Sequence, residues 1–441
     1  MSVLGGLRQV WRQPRFRRLL LVKLFSQSAD GMVQVGVASY TLLAPERQPN
    51  AWAIAGVLAV TMLPFSVLGP FVSVVIDRWD RRRTVLLSDT VRLVLTLLLA
   101  TLVWLSGHDV ALLAPIMVVA LVVMSLERFQ IATLMAGLPH TIEEGEYLAA
   151  NTALPVIGPL GMMVGALVAA VVRLTVGNIV SATLADALIF TIAAACFLAS
   201  VTVCRGFTRR SLGPDTAVVH RVGETFRDLG AALRHLRRRG PAALAIAMIF
   251  AMRLVFGFVM VATILIFRNR FHNAAEIDDA VADLAIWVVA TGAGFVLASA
   301  VNPVLARRLS LRVTVVAVLL AAALNQALPG SIFTRPTLIA ASFLLGLWAQ
   351  CLKMNADTLV QAHVDDKFKG RVLVIYDMAF NLPLVLAGVL AALILPDDGA
   401  SRPAFLACAA LYLVIAAAFA IKSQTMGPTR FARGTESLTD E

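Results

Sequence analysis

The sequence predicts an all-α integral membrane protein with twelve transmembrane helices. The 441 residues are 59% hydrophobic and 15% charged, whereas a soluble domain is nearer half apolar and a quarter charged. Twelve stretches reach the roughly 20 mostly apolar residues that a membrane-spanning helix needs. These stretches are apolar throughout rather than alternating, which favours helices over the strands of a β-barrel.

The positive charge of the chain follows the predicted topology. The net charge is +11, and most Lys and Arg residues fall in loops on one side of the predicted spans. Because positive residues collect on the cytoplasmic side of membrane proteins, we expect both termini in the cytoplasm and no nucleic-acid binding. The excess of Arg over Lys and the abundant Ala indicate a GC-rich genome. The expected location is the bacterial cytoplasmic membrane.

The N-terminal half begins with a basic segment, 1–17, which we expect to contact membrane lipids. The first span, about 18–43, carries one polar stripe on an apolar helix, formed by Lys23, Gln27, Asp30 and Gln34. Asp30 lies near mid-depth, where a charge costs at least about 2.5 kcal/mol and must face a cavity or a partner. The stripe therefore either handles substrate or protons, or locks helices together through a Lys–Asp network.

A short loop rich in arginine joins the second span, about 51–76, to the third, about 84–105. The loop reads Ser73-x-x-x-Asp77-Arg78-Trp79-Asp80-Arg81-Arg82-Arg83. It resembles the loop after the second helix of major facilitator superfamily (MFS) transporters, Gly-x-x-x-Asp-Arg-x-Gly-Arg-Arg, with both glycines replaced. The Asp80 variant, followed by Ser88, Asp89 and Arg92, is similar to the macrolide-efflux and siderophore-exporter branch.

The resemblance implies that this loop is a gate. In the family, the acid of the loop latches the two halves of the transporter in the outward-open state. The expected gating residues of the loop are Asp77, Arg78, Arg81 and Arg82. A purely topological role of the arginines is the alternative.

Four further residues are assigned to the same gate. Asp89 and Arg92 lie near the cytoplasmic end of the third span, where they pair either with each other at i, i+3 or with the loop arginines. Gly370 and Arg371 are expected to open the eleventh span, whose positive N-terminal end would receive Asp77.

The remaining spans of this half carry few charges. The fourth span, about 110–136, contains Glu127 and Arg128, and the loop 138–151 resembles the efflux branch's Leu-Pro-x-Leu-Val-Pro-x-Glu-x-Leu-x-x-Ala-Asn. The fifth span, about 148–172, has a small-xxx-small face at Gly161 and Gly165, which allows close helix contact. The sixth span, about 178–203, carries Asp186.

Residues 204–240 are predicted to be a cytoplasmic linker between an N-terminal bundle, 18–203, and a C-terminal bundle, 241–423. An amphipathic helix on the inner membrane surface is indicated by apolar residues three or four apart, namely Val222, Phe226, Leu229, Leu233 and Leu236. The C-terminal spans are expected near 241–267, 278–304, 311–328, 334–360, 370–394 and 402–423, and the tail, 424–441, is polar. The loop 305–312 resembles a decayed copy of the first-half gate, as two MFS halves would give.

The deep charges collect on the first, fourth, seventh and tenth spans. In the MFS fold these four helices surround the central cavity, so the resemblance implies a transport pathway. The expected cavity and coupling residues are Lys23, Gln27, Asp30, Glu127, Arg128, Arg253, Lys353 and Asp357. Asp30 and Glu127 are the carboxylates expected to take up protons.

The leading functional prediction is a proton-coupled exporter of lipophilic or amphipathic small molecules. No Walker A motif is present, so transport is expected to be secondary, in a monomer without cofactor or metal. Two alternatives stay open: a membrane scaffold or sensor, and a lysophospholipid transporter, since Phe25-Ser26-x-x-x-Asp30-Gly31 also resembles the start of that MFS branch. An enzyme is not expected, because no nucleophile–base pair or metal cluster stands out.

Overall fold

The computed structural model describes most of the chain, and the described part is helical. The described residues are 13–42, 50–67, 79–106, 112–142, 147–209, 211–213, 222–272 and 277–426. The chain divides into two compact units. Unit 1 comprises Met1–Glu46 and Ala59–Thr225, and unit 2 comprises Arg47–Leu58 and Phe226–Glu441.

Each predicted span overlaps a described helix, which confirms the predicted all-α membrane fold. The first six are α1 (Pro14–Leu42), α2 (Ala51–Val67), α3 (Arg81–Ser106), α4 (Leu113–Gly137), α5 (Tyr147–Ile179) and α6 (Ala182–Arg205). The linker contains α7 (Val222–Arg238). The last six are α8 (Gly240–Leu265), α9 (Ile277–Arg308), α10 (Leu311–Ala327), α11 (Arg335–His363), α12 (Asp366–Ile394) and α13 (Arg402–Thr425).

Ten of the described helices are long and apolar enough to cross a membrane. The other two predicted spans differ for separate reasons. Helix α1 has 29 residues, but its polar stripe lowers its mean hydropathy. Helix α2 is described over 17 residues, and the rest of the predicted second span lies outside the described residues.

Two helix boundaries differ from the sequence prediction. Helix α5 continues to Ile179, past the predicted end at 172, and Arg173 in this extension pairs with Asp186 of α6. Helix α12 begins at Asp366, one turn before the predicted start at 370. In α7, Leu236 is buried but Leu233 is 44% exposed, so the predicted apolar face does not pack along its whole length.

Helices α1 and α5 meet with their backbones in contact. A Cβ atom at Gly165 would overlap the backbone carbonyl of Ser28, and one at Gly31 would overlap that of Met162. Only glycine permits such an approach. The predicted small-xxx-small face of α5 is therefore the face that fixes α1, and with it the polar stripe of α1.

An apolar cluster closes one end of unit 1, where α1 and α3 begin and α4 and α6 end. Its buried members are Phe16, Leu19, Leu20, Val22, Val85, Leu134, Leu138, Cys204, Phe207 and Leu212. The polar residues of α1, α3 and α4 lie one to three turns further along these helices, beyond this apolar end.

Candidate functional site

A buried ionic network joins α1 to α3 in unit 1. The guanidinium of Arg92 forms an ion pair with Asp30 and a second one, at 3.1 Å, with Asp89. All three side chains are fully shielded from solvent. Of the two pairings expected for Asp89 and Arg92, the structure has the pairing with each other, and it adds Asp30 of the neighbouring helix.

Hydroxyl and aromatic groups complete the surroundings of this ion pair. Ser26 accepts a hydrogen bond from Arg92 at 2.9 Å and donates one to Asp89 at 3.2 Å. Ser200 of α6 donates to the other oxygen of Asp89 at 2.6 Å. The guanidinium also lies 4.3 Å from the ring centre of Phe197. Three helices, α1, α3 and α6, therefore hold one charged group in place.

Glu127 of α4 reaches the same network through an amide. Gln27 Nε2 donates to Asp30 at 2.8 Å and approaches Glu127 Oε1 at 3.4 Å. Glu127 is fully buried, and its Oε2 has no hydrogen-bond partner within the described chain. Gln27 thus links a carboxylate that is ion-paired to one that is not.

The sequence also placed Lys23 and Arg128 in this site. Lys23 is buried and lies against α5, where its Nζ would be 3.5 Å from a Cβ atom at Gly158. Arg128 is half-buried and adjoins Glu127 in the chain. Gln130, one turn beyond Glu127, donates to Asp89 at 3.4 Å.

A second buried pair lies in unit 1 beyond the predicted site. Asp186 of α6 accepts a hydrogen bond from Ser39 at 2.6 Å and lies 3.5 Å from Arg173 of α5. Arg173 also donates to Ser39 at 2.9 Å. Because α1, α5 and α6 each contribute one group, this arrangement holds helices together.

Unit 2 has its own polar cluster, built by α8, α11 and α12. Lys353 pairs with Asp357 at 2.7 Å, one helical turn away, and Tyr376 donates a hydrogen bond to Asp357 at 2.5 Å. Arg253 lies 4.0 Å from the ring centre of Phe380 and donates to the carbonyl oxygen of Phe380 at 2.9 Å. Lys353 and Asp357 keep about a third of their side-chain surface exposed.

The loop that was predicted to act as a gate is described in part. Asp77 and Arg78 lie outside the described residues. Arg81 donates to the backbone oxygens of Ala136 and Leu212, at 3.0 and 3.2 Å. Arg82 reaches the backbone oxygen of Arg205 at 3.3 Å. These two arginines bind the negative C-terminal ends of α4 and α6.

Two details of the predicted gate change. Asp80, which replaces a signature glycine, caps α3, since its carboxylate accepts a hydrogen bond from the backbone N–H of Arg82 at 3.0 Å. Gly370 and Arg371 do not open the eleventh span, because α12 has already begun at Asp366. They are exposed in its second turn, past the N-terminal end to which the sequence analysis assigned Asp77.

Some residues of these clusters carried no signal in the sequence. Ser26, Ser200 and Phe197 are common residue types within apolar helices, and only the folded arrangement brings them to Arg92. Tyr376 and Phe380 could have been noticed as aromatic residues on the α12 face near Asp377. Arg92 and Asp89 were noticed, but with a gating role rather than with Asp30.

Comparison with known proteins identifies the family. No protein-family model matches the chain. MFS-type transporters of Mycobacterium tuberculosis and Mycobacterium bovis, both uncharacterized, are 31% identical over 412 residues, covering 92% of this chain and 91% of theirs.

Solved structures with low sequence identity share the fold. A variant of the nucleoside transporter NupG gives a TM-score of 0.69 at 12% identity, covering 92% of this chain and 99% of that one. A POT family transporter in complex with a peptide conjugate gives 0.64 at 12% identity, over 93% and 96% of the two chains. The fucose:proton symporter FucP of E. coli gives 0.54 at 12% identity, over 93% and 98%. On the sequence identity and coverage of the mycobacterial relatives, this chain belongs to the major facilitator superfamily and is a multi-pass secondary transporter rather than an enzyme.

Proposed function

We propose that the protein is a proton-coupled exporter of lipophilic or amphipathic small molecules, working as a monomer by alternating access in the bacterial cytoplasmic membrane. The observation that carries the proposal is Glu127. It is fully buried in a membrane-spanning helix and makes no ion pair within the described residues.

The cost of burying charge supports Glu127 as the proton carrier. A carboxylate that is ionised and unpaired in a low-dielectric interior is strongly disfavoured, so such a group holds a proton or faces a cavity. Asp30 differs, because it is paired with Arg92. The two acids therefore have separate roles, with Asp30 fixed as an anion and Glu127 free to exchange a proton.

Gln27 couples proton exchange at Glu127 to the Asp30–Arg92 ion pair. Its amide nitrogen is shared by Asp30 and Glu127. When Glu127 becomes ionised, it attracts this N–H group more strongly, because hydrogen bonds to a charged acceptor are stronger. The Asp30–Arg92 pair then loses a hydrogen bond, which biases unit 1 between two arrangements.

The direction of transport rests on the sequence motifs. The loop with Asp80 and the segment 138–151 resemble the macrolide-efflux and siderophore-exporter branch. The cytoplasmic location of both termini is inferred from the distribution of positive charge in the loops. Together they favour export out of the cytoplasm.

A second candidate, lysophospholipid transport, is favoured by Arg253. This mid-span arginine contacts the rings of Phe380 and Phe256 and one carbonyl oxygen, and no carboxylate pairs with it within the described chain. An arginine inside a membrane protein pairs with an acid or marks a ligand site. Together with Lys353 and Asp357, it would suit a headgroup that carries both charges.

The test is transport in proteoliposomes with an imposed pH gradient, using a cationic dye, a macrolide and a headgroup-labelled lysophospholipid. We expect export of the dye or the macrolide to stop when an uncoupler is added. Glu127→Gln should abolish gradient-driven transport but retain exchange of substrate across the membrane, because only the proton-linked step is lost. Asp397→Asn, an exposed acid in the loop before α13, is the matched control and should transport normally.

The alternatives give different results. Lysophospholipid uptake that survives the uncoupler would favour the lipid transporter. Gradient-driven export by Glu127→Gln would refute the role of Glu127. No transport of any compound, with Asp30→Asn and Arg253→Ala tolerated, would favour the scaffold or sensor.

A further inference from the structure

We propose that unit 2 has an anion site, separate from the transport pathway, that binds the phosphate of an anionic phospholipid headgroup or of a soluble phosphate ester. The site is a cavity of about 560 Å³ between the end of α7 and the start of α12. Its charged and aromatic lining consists of Arg234, His235, Arg238, Arg239, Asp365 and Phe368.

The sequence of α7 places the basic residues of this site on one face. Residues 234, 235 and 238 lie within about 100° of one another around the last turns of α7, Arg239 directly follows the helix, and each of the four is Arg or His. The sequence analysis considered only the apolar face of α7. Its last two turns instead present a basic face to α12.

Two contacts hold the walls of the cavity together. The ring of His235 stacks on Phe368 with 4.2 Å between ring centres and 14° between planes. Arg239 pairs with Asp365 at 2.6 Å. These two contacts, one aromatic and one ionic, attach the end of the α7 segment to the start of α12. The cavity is therefore preformed.

His235 contributes a buried ring nitrogen to the cavity wall. Its side chain is only 10% exposed, yet its Nε2 has no hydrogen-bond partner within the described chain. The nearest carboxylate oxygen, on Asp365, is 3.8 Å away, beyond hydrogen-bond distance. A buried nitrogen of this kind normally finds a partner, and an oxygen of a bound anion would provide one.

The charges select an anion. Three guanidinium groups line the cavity against one carboxylate, that of Asp365, which is already paired with Arg239. The N-terminal end of α12 adds positive potential, and Asp365 does not cap it with its side chain. Arg234 and Arg238 are exposed, so their planar groups are available to a phosphate, whose oxygens they match.

The size and position of the cavity fit both sources of phosphate. A volume of about 560 Å³ is within the range of small-molecule sites. The positive-inside distribution assigns the linker to the cytoplasmic side, where basic pockets beside membrane helices bind anionic headgroups. A soluble phosphate ester would reach the same cavity from the cytoplasm.

The experiment measures thermal stabilisation of the purified full-length protein in a neutral detergent. One arm adds phosphatidylglycerol, with phosphatidylcholine as the neutral comparison, and the other adds glycerol 3-phosphate. A ligand that binds the folded protein raises its stability with increasing concentration above Kd. We expect one anionic ligand to stabilise the protein and phosphatidylcholine to have no effect.

Matched variants separate the cavity from general positive charge. In Arg234→Gln/Arg238→Gln we expect about tenfold weaker binding, as loss of charge-assisted hydrogen bonds would give. Arg227→Gln/Arg237→Gln removes the same charge from exposed positions of α7 outside the cavity lining, and should change affinity less than about twofold, as exposed charges contribute little.

Each outcome decides the proposal. Stabilisation by phosphatidylglycerol alone supports the lipid source, and stabilisation by glycerol 3-phosphate alone supports the soluble one. Equal losses in the two double variants, or no stabilisation by either anion, would overturn the site. The measurement needs no transport substrate, so failure of the proposed transport function would leave it unaffected.

Discussion

Replacing Arg92 with Gln tests whether one buried cation holds unit 1 together. Arg92 contacts two carboxylates, Asp30 and Asp89, and all three groups are fully buried. Glutamine keeps hydrogen-bonding capacity but removes the charge. Two buried acids would then have lost their counter-charge.

The expected loss of stability is large. Removing one partner of a buried ion pair costs about 3–5 kcal/mol, because it leaves an uncompensated charge. Proton uptake by one of the two acids limits the loss, so we expect about 3 kcal/mol for Arg92→Gln. Adding Asp30→Asn removes one of these acids and should restore part of the loss, with a coupling of about 2 kcal/mol between the two positions.

The assay is reversible unfolding in mixed micelles by titration with sodium dodecyl sulfate, followed by circular dichroism. The wild-type protein, both single variants and the double variant form a double-mutant cycle. Arg83→Gln removes an exposed arginine from the first turn of the same helix, and should change the free energy of unfolding by less than about 0.5 kcal/mol.

Two results would contradict this reasoning. Additive losses in the double variant would mean that Asp30 and Arg92 do not depend on each other. A loss in Arg92→Gln as small as that in Arg83→Gln would mean that the network does not stabilise the fold.

Two further predictions use the same preparations. Gly31→Ala should destabilise unit 1 by about 1–3 kcal/mol, because the added Cβ would overlap the backbone of Met162. The control Gly230→Ala places its Cβ in open space on α7 and should stabilise that helix by about 0.5–1 kcal/mol. Similar effects of both substitutions in the same titration would be inconsistent with the contact between α1 and α5. Arg253→Lys keeps the charge but loses the flat contact with Phe380, so thermal stabilisation by lysophospholipid should weaken about tenfold. Unchanged affinity would show that the charge alone acts.

The fold could be predicted because long apolar stretches have few alternatives in a membrane. Each span needs internally satisfied backbone hydrogen bonds, so stretch length and loop charge determine the number and direction of helices. Boundaries were less certain where polar residues continue a helix. The predicted fifth span ended at 172, whereas α5 continues through Arg173. The partner of Arg173, Asp186, lies in the next helix, and this pairing is visible only in three dimensions.

The candidate site could be predicted in part. The stripe with Asp30 and the lone carboxylate Glu127 were found, because charges within apolar helices are unusual. The contact between Arg92 and Asp30 was not predicted. Arg92 lies eleven positions after the start of α3, so the sequence indicated a place near the loop, whereas the packing of α3 places it against Asp30. Hydroxyl partners such as Ser200 are too common in helices to be recognised without the fold.

The glycine contact between α1 and α5 has a consequence for how unit 1 transmits force. Where backbones touch, no side chain is present to change rotamer and absorb a small displacement. A shift of α1 along its helix axis, which would move Asp30, therefore moves α5 with it as a rigid body. We expect the amide hydrogens around Gly31 and Gly165 to exchange with deuterium together and slowly. Such exchange would show that α1 and α5 move as one rigid unit.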